Sequence, residues 1–217
     1  MAVTFEAADP ARVAAFWAAL LPGGDSQVGL RFVAGAAERT GPDLLHLHLT
    51  SDSAAHQEQV VAAALGLGAS HLDVGQRPEE GHVVLADPEG NAFCVIEPGN
   101  AFLAGCGPLG EVACDGSRET GVFWSDALGW PLVWDSDGET AIQSPWGGTK
   151  VAWSGVAPVP GQRRQRFDLA ADGALAAEVE RLASLGATRL RQRADGALVL
   201  ADPDGVAFCL LAARDGP

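Results

Sequence analysis

The chain alternates between two hydrophobic rhythms. Segments 3–7 (VTFEA), 27–35 (QVGLRFVAG) and 43–51 (DLLHLHLTS) alternate apolar and polar side chains, the period of strands with one face buried. Between the first two, Val13, Phe16, Trp17, Leu20 and Leu21 fall at i, i+3, i+4, i+7 and i+8, one apolar helical stripe suited to packing on a sheet. Asp9 and Pro10 open that helix as N-cap and first-turn proline, and Pro22-Gly23-Gly24 ends it. A second helix is predicted from about Ala54 to Leu65, capped by Asp52 or Ser53. Strands at 70–75 and 82–96 follow. Asp87-Pro88-Glu89-Gly90 interrupts the last one with turn chemistry: proline presets one backbone angle, glycine tolerates a positive one, and the segment reads as a hairpin.

The same order then recurs. VVLADPEGNAFCVI at 83–96 returns as LVLADPDGVAFCLL at 198–211, with nine of fourteen positions identical. Phe16-Trp17 is echoed by Phe123-Trp124, and Gly68-Ala69-Ser70 by Gly186-Ala187-Thr188, which together mark an internal duplication. The second half reads as a strand at 111–115, a helix from about Arg118 to Leu128, strands at 131–137, 140–145, 150–155 and 165–170, a helix through Leu175, Val179, Leu182 and Leu185, a strand at 188–193 and the closing hairpin. Segment 97–110 is rich in Gly and Pro and places the boundary, giving one domain at 1–98, a linker at 99–108 and a second domain at 109–213. The stretch from Trp17 to His46 is much shorter than that from Trp124 to Arg166, so one strand of the first half is expected to be short or missing.

Composition narrows the functional classes. With 47% hydrophobic and 19% charged residues, the 217-residue chain can bury a sizeable core and is not a disordered polymer. Its formal charge of −14 repels nucleic-acid phosphates and anionic membrane surfaces, so neither is an expected partner. No apolar stretch approaches the roughly 20 residues of a membrane span. The start MAVTFEAADP has no secretory signal pattern, and the expected location is the cytoplasm. Four scattered cysteines make neither a disulfide framework nor a CxxC zinc site; free thiols are expected, with a Cys106–Cys114 pair as the one alternative.

A strand, a helix with a Phe-Trp stripe, further strands, a helix ending Leu-Gly-Ala and a final ADPxGxxFC hairpin, present once in each half, resemble the glyoxalase and bleomycin-resistance group, the vicinal oxygen chelate superfamily that also includes dioxygenases. The resemblance implies an α+β fold of tandem βαβββ modules, four in this chain, with mixed sheets curled into open barrels around small-molecule cavities and helices outside. It also implies where metal-dependent members hold their ligands: on the first strand, on the strand opening the second module, and on the last strand. Here those positions fall near Ala2 and Leu109, at His46 and Arg166, and at Cys94 and Cys209. The first two cannot bind metal, and a fixed positive charge at Arg166 repels a cation. The resemblance therefore points to a binder of a small organic molecule with no metal cofactor. The alternative is one divalent ion in the first domain, held by His46, His48 and Cys94 and serving a lyase, isomerase or dioxygenase reaction.

Read as residues, His46 and His48 share one strand face and are the best candidates for ligand contact or proton transfer, against the plainer reading of hydrogen-bonded strand histidines. Arg166 and Asp168 occupy the corresponding place in the second half, either to orient an anionic or polar ligand or to pair with neighbouring charges in the RRQR run at 163–166. Trp134, Trp146 and Trp153 sit on second-half strands and could line a cavity or belong to the core. Cys94 and Cys209 lie in apolar strands, either at the cavity wall or as inert buried thiols. A homodimer stays open as well, because modules can pair within or between chains.

Overall fold

Four modules run along the chain in the expected order. The computed structural model describes residues 1–23, 27–35, 43–77, 79–159 and 164–212. Gly24 of the first helix stop, Arg163 of the charge run and residue 213 at the end of the second domain lie outside the described residues. The first module holds β1 (Ala2–Ala7), α1 (Pro10–Leu20) and β2 (Gly29–Ala34), and the second β3 (Leu45–Leu49), α2 (Ala54–Gly66), β4 (Ser70–His71), β5 (Val83–Ala86) and β6 (Ala92–Val95). The third holds β7 (Leu109–Cys114), α3 (Arg118–Leu128), β8 (Leu132–Ser136), β9 (Glu139–Gln143) and β10 (Lys150–Trp153). The fourth holds β11 (Gln165–Ala170), α4 (Leu175–Ser184), β12 (Thr188–Gln192), β13 (Leu198–Ala201) and β14 (Ala207–Leu211). Among the described residues β2 alone stands between α1 and β3, where the third module has β8, β9 and β10 after its helix. Asp9 caps α1 by accepting from the Arg12 amide, and Ser53 rather than Asp52 caps α2 by accepting from the His56 amide.

The fold is α+β, with two mixed sheets that stay open at their ends. One has the order β12-β13-β14-β11-β1-β2, and the other β4-β5-β6-β3-β7-β10-β9-β8. Each sheet therefore draws on both halves of the sequence: the first module joins the fourth through the antiparallel pair β1–β11, and the second joins the third through β3–β7. No helix among the described residues is long and apolar enough to cross a membrane.

One hydrophobic core serves both sheets, and the duplicated motifs meet inside it. Phe16 and Trp17 of α1 lie edge-on to Phe93 of β6, at 6.0 and 5.1 Å between centroids, so α1 lays its aromatic pair on the sheet its own strands do not join. In reverse, Trp124 of α3 packs against Phe167 of β11 and Phe208 of β14, each at 5.0 Å. The Phe-Trp pair and the phenylalanine of ADPxGxxFC recur together because they are two sides of one contact, worth about 0.5–1.5 kcal/mol per ring pair beyond area burial.

Asp87 ties that contact to its hairpin. Its buried carboxylate accepts from the Trp17 indole (3.0 Å), the Glu89 and Asn91 amides (2.9 Å each) and the Asn91 side chain. Asp202 repeats the turn clasp, accepting from the Asp204 and Val206 amides at 3.1 and 2.9 Å. Replacing Asp87 by Ala orphans several buried donors and should cost roughly 1–3 kcal/mol in urea unfolding. The shared sheets carry a second expectation. Residues 1–98 and 99–217 produced separately should lack native near-UV circular dichroism and recover it on mixing; a lone half with the native spectrum would contradict the cross-half pairing.

Candidate functional site

Strand alternation sends Leu45, Leu47 and Leu49 of β3 into the core and leaves His46 and His48 on the opposite, open face of the eight-stranded sheet. Register then extends the face across four strands. Cys94 of β6 stands beside His48, His48 beside Glu111 of β7, and Glu111 beside Lys150 of β10, forming one row. His46, Ala113 and Ala152 form the next row.

Within these rows the side chains touch. The donor atoms of His46, His48 and Cys94 all lie within 4.8 Å of one another, and the two imidazole rings are 4.7 Å apart. His48 Nδ1–H donates to the Glu111 carboxylate at 2.6 Å. Lys150, the single lysine of the chain, donates to the Phe102 carbonyl and lies 4.3 Å from the centroid of that ring. Phe102 meets Trp134 of β8 edge-on at 6.2 Å. His46, Glu111, Lys150, Phe102 and Trp134 line a cavity of about 760 Å³, floored by Ala113 and Ala152. Cys94 does not line this cavity; it is buried in a small apolar cluster with Val84, Ile96 and Leu103.

The two histidines are driven apart in charge. Burial works against charging His48, but hydrogen bonds to Cys94 and Glu111 outweigh it and hold its pKa up at about 9. Burial, followed by the adjacent His48, pushes His46 down to about 4, against the attraction of Glu111. Near neutral pH the face thus presents an imidazolium beside a neutral imidazole.

The six-stranded sheet carries the equivalent positions with different side chains. Cys209 of β14 stands beside Asp168 of β11 and Asp168 beside Ala2 of β1, with Arg166, Thr4 and Arg31 in the next row. Asp168 is 5% exposed and accepts from Thr4 Oγ1 (2.7 Å), Arg31 Nη1 (3.0 Å) and Arg166 Nε (3.1 Å). Arg166 and Asp168 therefore pair with each other and with neighbouring charges.

Several sequence expectations shift in position. Glu111, not Leu109, takes the place that Ala2 holds in the other sheet, since Glu111 pairs with His48 as Ala2 pairs with Asp168. Trp134 faces the cavity. Trp146 lies in the turn between β9 and β10, not on a strand, and is 82% exposed. Trp153 packs in the core beside Gly116 and against Gly121 of α3, while Lys150 and Ala152 take the open face of β10, and it also borders the cavity. All four cysteines, Cys106 and Cys114 included, are free thiols. Glu111, Lys150 and Phe102 were missed by sequence reasoning. A lone lysine was the one available signal, and Phe102 sat in a segment read only as a linker.

The sequence pattern of the glyoxalase-like domain matches residues 2–96 and again residues 111–211. The chain belongs to the glyoxalase-like domain family. Glyoxalase I from Zea mays is similar in fold to this family member, with a TM-score of 0.61 over 97% of this chain and 91% of its own, at 15% identity. A putative dioxygenase from Bacillus subtilis is similar with a TM-score of 0.59 over 99% of this chain and 85% of its own, also at 15% identity. No curated protein matches the chain in sequence.

The His48–Glu111 pair of this glyoxalase-like domain makes a pH-dependent prediction. A raised folded pKa gives stability that is complete below the ordinary histidine value and is lost as pH climbs towards about 9; the lowered pKa of His46 gives stability that is lost as pH falls towards about 4. In chelator-treated protein, the NMR titration of His48 should show imidazolium beyond pH 8, and Glu111→Gln should lower its midpoint and cost about 1.5–3 kcal/mol at neutral pH.

Proposed function

We propose that this protein binds a small organic molecule with a planar, apolar portion in the cavity on the eight-stranded sheet. The observation that carries this reading is the make-up of the cavity wall: Phe102 and Trp134 offer flat apolar surface, while His46, Glu111 and Lys150 offer polar groups beside it. A volume of about 760 Å³ suits a drug-sized ligand, and a few convergent polar groups in an otherwise apolar wall are what fix the orientation of one. His46, neutral near pH 7, lines the cavity and can accept a hydrogen bond from a bound molecule, with the charged His48 one ring contact away.

The proximity of His46, His48 and Cys94 favours a second reading, in which these residues hold a divalent ion. Two imidazoles and a thiolate suit a borderline-soft ion such as zinc, and Glu111 on Nδ1 of His48 is the kind of carboxylate that orients a ligating ring. A bound ion would supply Lewis-acid polarisation to a lyase, isomerase or dioxygenase reaction. The side chains would fix the ion's place, and His46 would then be a ligand rather than a base.

Both readings meet in one pair of measurements. Planar aromatic compounds should quench tryptophan fluorescence saturably, and Trp134→Ala should weaken the tightest of them by about tenfold, as loss of an aromatic contact does. Failure of every compound to change fluorescence or melting temperature would sink the binding proposal. Elemental analysis of protein purified without chelator or affinity metal decides the second. Near-stoichiometric metal that Cys94→Ala removes supports the metal reading, and protein that takes up no zinc, nickel, manganese or iron on re-addition excludes it.

A further inference from the structure

The six-stranded sheet carries a second cavity of about 490 Å³, and its wall is built around guanidinium groups. Arg166 of β11, Arg191 of β12 and Arg193 beyond its end converge there with Cys209 and Glu6. Three of the thirteen arginines in a chain of net charge −14 thus face one small space. We propose that this cavity is a binding site for a small organic anion, recognised by its carboxylate or phosphate head group. The inference does not depend on what the first cavity binds.

The duplication shows how the site arose within this chain. The register places Asp168 where the other sheet has His48, Arg166 where it has His46, and Ala2 where it has Glu111. The cysteine is kept, but the histidine beside it becomes an aspartate held by arginines, the second histidine becomes an arginine and the glutamate becomes an alanine. A metal ion is repelled here, and an anion is attracted.

The nearby carboxylates offset part of the arginine charge, but each is held by partners of its own, and Arg191 pairs with none of them among the described residues. Asp168 accepts from Thr4, Arg31 and Arg166. Glu6 accepts from Arg166 Nη1 at 3.1 Å, Asp204 from the Ser117 amide at 2.7 Å, and Asp195 from Arg193 and the Ala197 amide. Arg166 is thereby held by two carboxylates along its Nε and Nη1 edge, with 15% of its side chain exposed. Arg191 is exposed and pairs with no carboxylate among the described residues. A fixed guanidinium beside a free one is a setting for bidentate, charge-assisted hydrogen bonds to a carboxylate or phosphate, which are about twice as strong as neutral ones. The cavity has room for the head group and a few more atoms, not for a polymer.

The test uses the full chain at low ionic strength, with succinate in one titration and inorganic phosphate in another, followed by calorimetry. Saturable binding of at least one anion with a stoichiometry of one is expected. Arg191→Gln and Arg193→Gln should each weaken it by about tenfold without changing the melting temperature, since neither side chain holds the core. Trp134 fluorescence should not respond, which separates this site from the first cavity. Preference for succinate or for phosphate identifies the head group and supports the proposal either way. It is overturned if neither anion saturates below about 10 mM, the scale of weak specific binding, or if the double variant binds as well as the parent chain.

Discussion

The candidate site on the eight-stranded sheet depends on the antiparallel pairing of β3 with β7. Those strands come from different halves of the sequence, and their register sets Glu111 beside His48. Burial favours the neutral form of His48; Cys94 and Glu111 together outweigh it and hold the ring charged. The pairing also brings Lys150 and the β8–β10 strands to the face that carries His46, so the cavity draws its wall from both halves of the chain and from the segment between them. The β1–β11 pairing does the same for the second cavity, where Thr4 from one end of the chain satisfies Asp168 from the other.

The duplication has kept what faces the core and changed what faces the cavities. Phe16-Trp17 against Phe93 and Phe123-Trp124 against Phe208 are the same contact made twice, because dense packing leaves little freedom to vary a buried ring. The open faces have no such constraint. His46, His48 and Glu111 on one sheet correspond to Arg166, Asp168 and Ala2 on the other, so a single scaffold presents two different chemistries. Cys94 and Cys209 mark the shared origin: both stand in the last strand of a module, next to the residue whose identity has changed most.

Local structure was legible in the sequence because its causes are local. The stripe ending at Leu21, the Asp9 cap and the two ADPxG turns each depend on residues a few positions apart, and they place nearly every element. The candidate site was half legible for the same reason: alternation within β3 put His46 and His48 on one face. Glu111 and Lys150 were hidden, since each reaches the site only through pairing across the duplication, which no short-range pattern encodes. Trp153 shows the same limit. Whether its ring meets ligand or core follows from the register of β10 with β7, and that register turned it inward.

The segment joining the halves illustrates how a connection can become part of a site. Its Gly and Pro content marks it as a turn-rich link, yet Leu103 is 5% exposed and packs with Cys94 and Ile96. Thr50 Oγ1 donates to the Gly107 carbonyl at 3.0 Å, and Lys150 donates to that of Phe102, so both halves grip the same segment. These anchors hold Phe102 over the cavity opposite Trp134. Lys150, the only lysine the sequence contains, therefore has two roles in the structure: its ammonium is a cation in the cavity wall, and the same group anchors the segment that carries Phe102.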